Sequence, residues 1–208
     1  MFHRLIVVTM MLLCGLVADR AAAQETIGAV TRIQGEASGT LGNATRSLGL
    51  DAQVYLRDVL STGEAARLEV TFADNTRVTL GQNAKLTLDA YVFKPAAGRG
   101  TIRLALIGAV RFLSGQLSKL AVSHVSLTTP VAAIGIRGTE FFAGPIDDQA
   151  LGVLLIEGAV SVSNAAGQRI LNRPGQGTNI AAPGVAPGPV TIWPQAKVNR
   201  ALASVSFQ

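Results

Sequence analysis

The chain has 208 residues, of which 15% are charged and 49% apolar, with 22 glycines. That length and turn-rich composition suit one compact domain and leave little room for a second. The formal charge is +5, from 18 Lys and Arg against 13 Asp and Glu. The arginines Arg32, Arg46, Arg57, Arg67, Arg77, Arg99, Arg103 and Arg111 are spread singly, whereas nucleic-acid binders gather their cations on one face or helix, so nucleic acid is not an expected partner.

The N-terminus opens with Met-Phe-His-Arg, continues as an apolar run from Leu5 to Val17, and ends in Ala21-Ala-Ala23 before Gln24. These are the parts of a secretory signal peptide, with cleavage expected after Ala23. The run is too short for a spanning helix, which needs about 20 apolar residues, so no stable membrane span is expected once the peptide is removed. The single cysteine, Cys14, lies inside the run behind Leu13, so neither a disulfide nor a lipid anchor is expected in the mature chain. Export would leave 16 basic and 12 acidic residues and place the protein in the periplasm or outside the cell.

From Gln24 onward the dominant signal is alternation. In Arg67–Phe72 the apolar set Leu68, Val70 and Phe72 interleaves with Arg67, Glu69 and Thr71, the period of a half-buried strand. Arg77–Leu80 and Lys85–Asp89 repeat it. Asp74-Asn75 suits a tight turn between the first two, so a three-strand meander is expected over residues 66–91. Further strands are expected at Ala29–Ile33, Gln53–Leu56, Ala109–Leu113, Val122–Thr128, Leu151–Ile156 and Ala159–Val162. Gly-Ala-Val opens a strand-like segment at Gly28, Gly108 and Gly158, at unequal spacing that excludes a fixed-period repeat. The composition shifts at Pro183–Pro189, which can form neither a helix nor a central strand. The expected architecture is therefore all-β: a single domain over residues 24–182 built as a twisted solenoid-like or sandwich-like stack of short strands, followed by a flexible Pro/Gly-rich tail over 183–208. Within that tail, Val190–Trp193 could return to cover a sheet edge.

Residues for catalysis are sparse. His124 is the one histidine of the mature chain, and a nucleophile needs a base oriented by a third group. Asp147-Asp148 lies in a turn-forming stretch without the spaced oxygen ligands of a calcium site, and reads as a hairpin tip. Phosphate-loop and dinucleotide glycine motifs do not occur. No enzyme activity, cofactor or metal is expected.

The least ordinary stretch is Thr128–Phe142, where Pro130 interrupts a ladder and Gly135 and Gly138 widen the backbone's options. Arg137, set among Ile134, Ile136 and Phe141, is expected to be enclosed and satisfied by an acid such as Glu140 or Asp58. The pattern Thr-Pro-x-Ala-x-x-Gly-x-Arg-Gly-Thr-x-Phe, here Thr129, Pro130, Gly135, Arg137, Gly138, Thr139 and Phe141, closely resembles the signature of the FecR domain family. The order of Gly28–Gly35, Val59–Gly63, Arg67–Leu80, Leu86–Leu88, Gly158–Val160 and Pro174–Gln176 extends the resemblance over roughly residues 27–180. It implies an extracytoplasmic stack of short strands. The family's best-known members are membrane-spanning regulators that relay a receptor's state to a cytoplasmic sigma factor. An exported chain without a crossing cannot make that relay itself. The function expected is a binding or scaffold module in the cell envelope with an envelope protein or glycan as partner, or, alternatively, an accessory of envelope signalling acting through a separate transmembrane partner. The motif itself is expected to lock strands together rather than to bind.

Overall fold

The computed structural model describes residues 24–208; the signal peptide expected over residues 1–23 lies outside the described residues. In chain order the strands are β1 (Thr26–Gln34), β2 (Ala37–Leu41), β3 (Ala44–Ser47), β4 (Gln53–Tyr55), β5 (Val59–Thr62), β6 (Arg67–Phe72), β7 (Arg77–Leu80) and β8 (Lys85–Lys94). They continue as β9 (Arg99–Ile107), β10 (Val110–Leu113), β11 (Val122–Thr128), β12 (Ala133–Ile146), β13 (Gln149–Asn164), β14 (Gly167–Leu171), β15 (Gln176–Ile180) and β16 (Thr191–Ile192). One helix, α1 (Gln195–Ala203), follows. The all-β expectation is met.

All sixteen strands belong to one sheet, folded over so that it faces itself. The two longest strands, β12 and β13, make the fold possible. The first half of β12 pairs with β11 and its second half with β10 along the same edge, while β13 runs along the whole of its other edge. One leaf is therefore β3-β2-β5-β8-β9-β11 with the near half of β12, the far half of β13, and β14. The other is β4-β1-β6-β7-β10 with the remaining halves, β15 and β16. The core lies between them: Leu60, Leu86, Leu88 and Leu104 of the first leaf are buried with Val30, Leu68, Val70 and Phe112 of the second. Burial of this continuous apolar layer is the main favourable term of the fold, at roughly 25 cal/mol per Å² removed from water.

The bend lies where the β12–β13 register shifts, between Arg137 and Glu140. Gly138 adopts φ +58° and Gly158, across from it, φ +83°. A Cβ on Gly158 would stand 2.1 Å from the Gly138 carbonyl oxygen, whereas a Cβ on Gly138 would meet open space. Two backbones touch here, and only the absence of a side chain at 158 allows it. Sequence patterning suggests two strands in this region, Leu151–Ile156 and Ala159–Val162; they are one strand bent at Gly158.

At the opposite side the leaves are clasped. Asp58, fully buried, takes both guanidinium nitrogens of Arg46 from edge strand β3 and the backbone N–H of Tyr55. Arg46 also donates to the Gln53 carbonyl of β4, the edge of the other leaf, at 3.0 Å. This forked charge-assisted pair matches carboxylate geometry, and the Asp58 bond holds the guanidinium pKa above its ordinary value. A second tie crosses the core where the β6–β7 turn meets β8. Asp74 accepts from Thr76, from the Tyr91 hydroxyl at 3.2 Å and from the Leu117 N–H at 3.1 Å. Burial, then the Asp74 charge, pushes the Tyr91 hydroxyl pKa up.

The expected meander over 66–91 is corrected. β6 and β7 pair around the Asp74-Asn75 turn, but β8 pairs with β5 and β9 in the opposite leaf. The crossing at residues 81–84 is fixed by the Thr62 hydroxyl, which donates to the Gly81 carbonyl at 2.6 Å and accepts from the Ala84 N–H.

The segment expected as a flexible tail is packed. β16 adds to the β15 edge, and Trp193 is buried against Gly152 and Gly177, where any Cβ would collide with its ring. Among the described residues the indole N–H has no acceptor; apolar contact and the Lys197 ammonium, 4.3 Å from the ring centre, hold the side chain. α1 and the turn after it then lay Ala201 and Val205 on Phe142 and Leu154, on the outer face of the second leaf. Arg200 and Lys197 reach Asp147, which with Asp148 (both at positive φ) forms the two-residue tip of the β12–β13 hairpin expected from the sequence.

Three substitutions test this account. Gly158→Ala forces both a positive φ and a backbone collision, costing about 3 kcal/mol, or a melting temperature lowered by about 10 °C, whereas Gly138→Ala costs about 1 kcal/mol; calorimetry giving equal losses would contradict the asymmetry. Trp193→Ala costs about 3–5 kcal/mol of local packing and opens the chain between Ala182 and Gln195 to limited proteolysis, while the 24–182 body stays intact on a gel.

Candidate functional site

Strand alternation sends one set of side chains into the core and the other outward. On the first leaf the outward set of β11, β12, β13 and β14 forms an open groove of about 640 Å³. Its walls are His124, Ser126, Arg137 and Ser161, with Gly135 as the floor and Ile170 on one rim. The register makes this a continuous row: Arg103 stands opposite Ser126, Ser126 opposite Gly135, Gly135 opposite Ser161, and Ser161 opposite Ile170. His124 and Arg137 lie one step beyond the Val125–Ile136 pair, on neighbouring strands. Gly135 keeps the floor low, since a Cβ there would meet the Ser161 hydroxyl at 2.6 Å.

The structure divides the seven motif residues among four jobs. Thr129 closes the β11–β12 turn: its hydroxyl donates to the Ala132 carbonyl at 2.9 Å and accepts from the Ala132 N–H at 3.1 Å, with Pro130 exposed at the tip. Gly135 and Arg137 belong to the groove. Gly138 and Thr139 make the bend. Thr139, buried, donates to the Ala159 carbonyl at 2.7 Å, and its backbone N–H donates to the Ser114 hydroxyl at 2.9 Å. Phe141 is fully buried, stacked on Phe112 with ring centres 5.5 Å apart.

The enclosed arginine expected at 137 is not found. Arg137 is exposed and makes no ion pair among the described residues. The two acids expected to meet it are engaged elsewhere, Glu140 by Arg111 and Asp58 by Arg46. The physical reason is the period of two: Ile134 and Ile136 face the core, so Arg137 faces water. His124 has hydroxyls and Arg137 as groove neighbours, and no carboxylate lines the groove to orient it as a triad would require. Sequence patterning did not single out Arg103, Ser126 and Ser161 as site residues, although all three sit at outward positions of alternating segments. The Gly-Ala-Val echo is a signal for close backbone approach: a Cβ at Gly28, Gly108 or Gly158 would come within 2.5, 2.8 or 2.1 Å of the backbone of Thr71, Ala84 or Gly138.

An exposed, unpaired Arg137 carries little of the fold. Arg137→Met is expected to move the melting temperature by no more than about 2 °C, as surface substitutions usually do. A collapse of the thermal transition would return the residue to a structural role.

A model of the FecR protein family matches residues 58–161, a stretch that begins at the clasp carboxylate, contains the bend and ends on the groove wall at Ser161. No curated protein matches the chain. Two crystal structures of a candidate anti-sigma factor from Parabacteroides distasonis ATCC 8503, at 2.50 and 1.65 Å resolution, share 16% identity with it, with TM-scores of 0.55 and 0.54. The likeness covers 69% of this chain and 63% and 64% of those chains, less than two thirds of their length. At that identity it is a likeness of fold.

Proposed function

The chain belongs to the FecR protein family, and from that premise we propose that it is an exported, non-catalytic binding module of the cell envelope, acting in the periplasm or outside the cell through the groove on its first leaf. The observation that carries this reading is the groove itself: an open row of hydroxyls beside His124 and the unpaired Arg137, set within the family match and left uncovered while α1 covers the outer face of the second leaf. Cations and hydroxyls on a rigid sheet favour recognition of a partner.

A second reading is favoured by one finding. The fold is shared with a candidate anti-sigma factor, which supports a part in envelope signalling through a separate transmembrane regulator. Among the described residues no helix is long and apolar enough to cross a membrane, so a relay would depend on that partner.

A photo-crosslinking residue placed at Ser126, in the groove, should yield a discrete adduct in cells and a processed chain beginning at Gln24 in the envelope or external fraction. The same residue at exposed Leu50, outside the groove, should not. Absence of adducts at Ser126, or an unprocessed chain in the cytosolic fraction, would overturn the binding-module reading. Adducts containing a transmembrane regulator would favour the signalling form of it.

A further inference from the structure

The two leaves treat their outer charges in opposite ways. On the second leaf cations and acids alternate: Arg32, Glu69, Arg77, Arg111 and Glu140 share one small depression, and Arg111 is ion-paired with Glu140. On the first leaf, Lys94 of β8, Arg99 and Arg103 of β9, His124 of β11 and Arg137 of β12 all occupy exposed outward positions, and none is ion-paired among the described residues. Asp89, at the β8 bulge, is the one acid on β8, β9, β11 and the first-leaf half of β12.

The register sharpens the contrast. Lys94 and Arg99 stand directly opposite each other on paired strands, and like charges so placed destabilise a sheet. His124 and Arg137 are neighbours on the next pair. The Lys94–Arg99 juxtaposition and the unpaired Arg103 and Arg137 on one face, beside a leaf that sets acids among its cations, mark a surface completed by an outside anion.

The geometry points to an extended, carboxylate-bearing polysaccharide as the ligand of this face, an assignment that rests on the binding-module reading above. Planar carboxylates match the arginine fork, and the hydroxyls of Thr101, opposite His124, of Ser126, opposite Arg103, and of Ser161, across Gly135 from Ser126, match the hydroxyls of a sugar chain. No aromatic ring is on the exposed outward face, so stacked bases have no platform here. The backbone groups of these inner strands are already paired, so a peptide could not add as a strand.

The test uses the full chain and polygalacturonate, with dextran, a single-stranded oligonucleotide and phosphatidylglycerol vesicles as comparators, read by calorimetry at two salt concentrations. Polygalacturonate should bind, weakening as salt rises, and dextran should not. Arg103→Ala and Arg137→Ala should each weaken binding about tenfold, with unchanged melting temperature, and Arg173→Ala, outside the face, should leave it unchanged. Equal binding of dextran, wild-type affinity in both groove variants, or oligonucleotide or vesicles bound at least as tightly would overturn the assignment. If that happens while the Ser126 crosslink persists, the module binds through this groove but its ligand is not a polyuronate; loss of both removes the module reading as well.

Discussion

The contact between the Gly138 carbonyl and the bare α-carbon of Gly158 is the constraint on which the rest of the molecule depends. A sheet of sixteen strands cannot bury an apolar face against itself unless some strand bends sharply and continues, and bending both members of a pair together keeps their hydrogen bonds. β12 and β13 do this by register shift and positive φ. Every core contact between leaves follows from that bend, and the Asp58–Arg46 clasp fixes the other side so that the leaves cannot open like a book. The glycine sets the geometry; the apolar layer supplies the energy.

The same bend separates two surfaces. Beyond it, the outward side of β12 and β13 carries Phe142 and Leu154, which need cover and receive it from α1 and Trp193. Before it, the outward side carries Gly135, Arg137, Ala159 and Ser161, which need none. A single pair of strands thus supplies a covered apolar patch and an open polar groove. The family signature spans both because it encodes the turn, the groove floor, the bend and the core anchor in thirteen consecutive residues.

Much of this is legible in the sequence, within limits that have physical causes. Alternation reports that one face of a segment is buried, which is why β6, β7, β8, β10 and β11 are recognisable from Arg67–Phe72, Arg77–Leu80, Lys85–Asp89, Ala109–Leu113 and Val122–Thr128. It does not report which strand lies alongside, so the passage of β8 into the opposite leaf, fixed by one hydroxyl at Thr62, leaves no mark in the pattern. Arg137 is misjudged when its apolar sequence neighbours are counted, and correctly placed when the period of two is applied to them. The packed C-terminus is hidden for a different reason: Pro183–Pro189 does lack regular structure, but the seat for Trp193 is made by Gly152 and Gly177, whose missing side chains carry no hydrophobic signal.

The tight Asp147–Asp148 turn between β12 and β13 has a kinetic meaning as well. Closing a short loop has a small entropic cost, and pairing across distant segments is slow. The β12–β13 hairpin is the longest local pairing in the described chain, and each of its halves is an edge onto which one leaf can grow. A chain that zips this hairpin first holds templates for both leaves at once, already set at the angle that the finished sandwich requires.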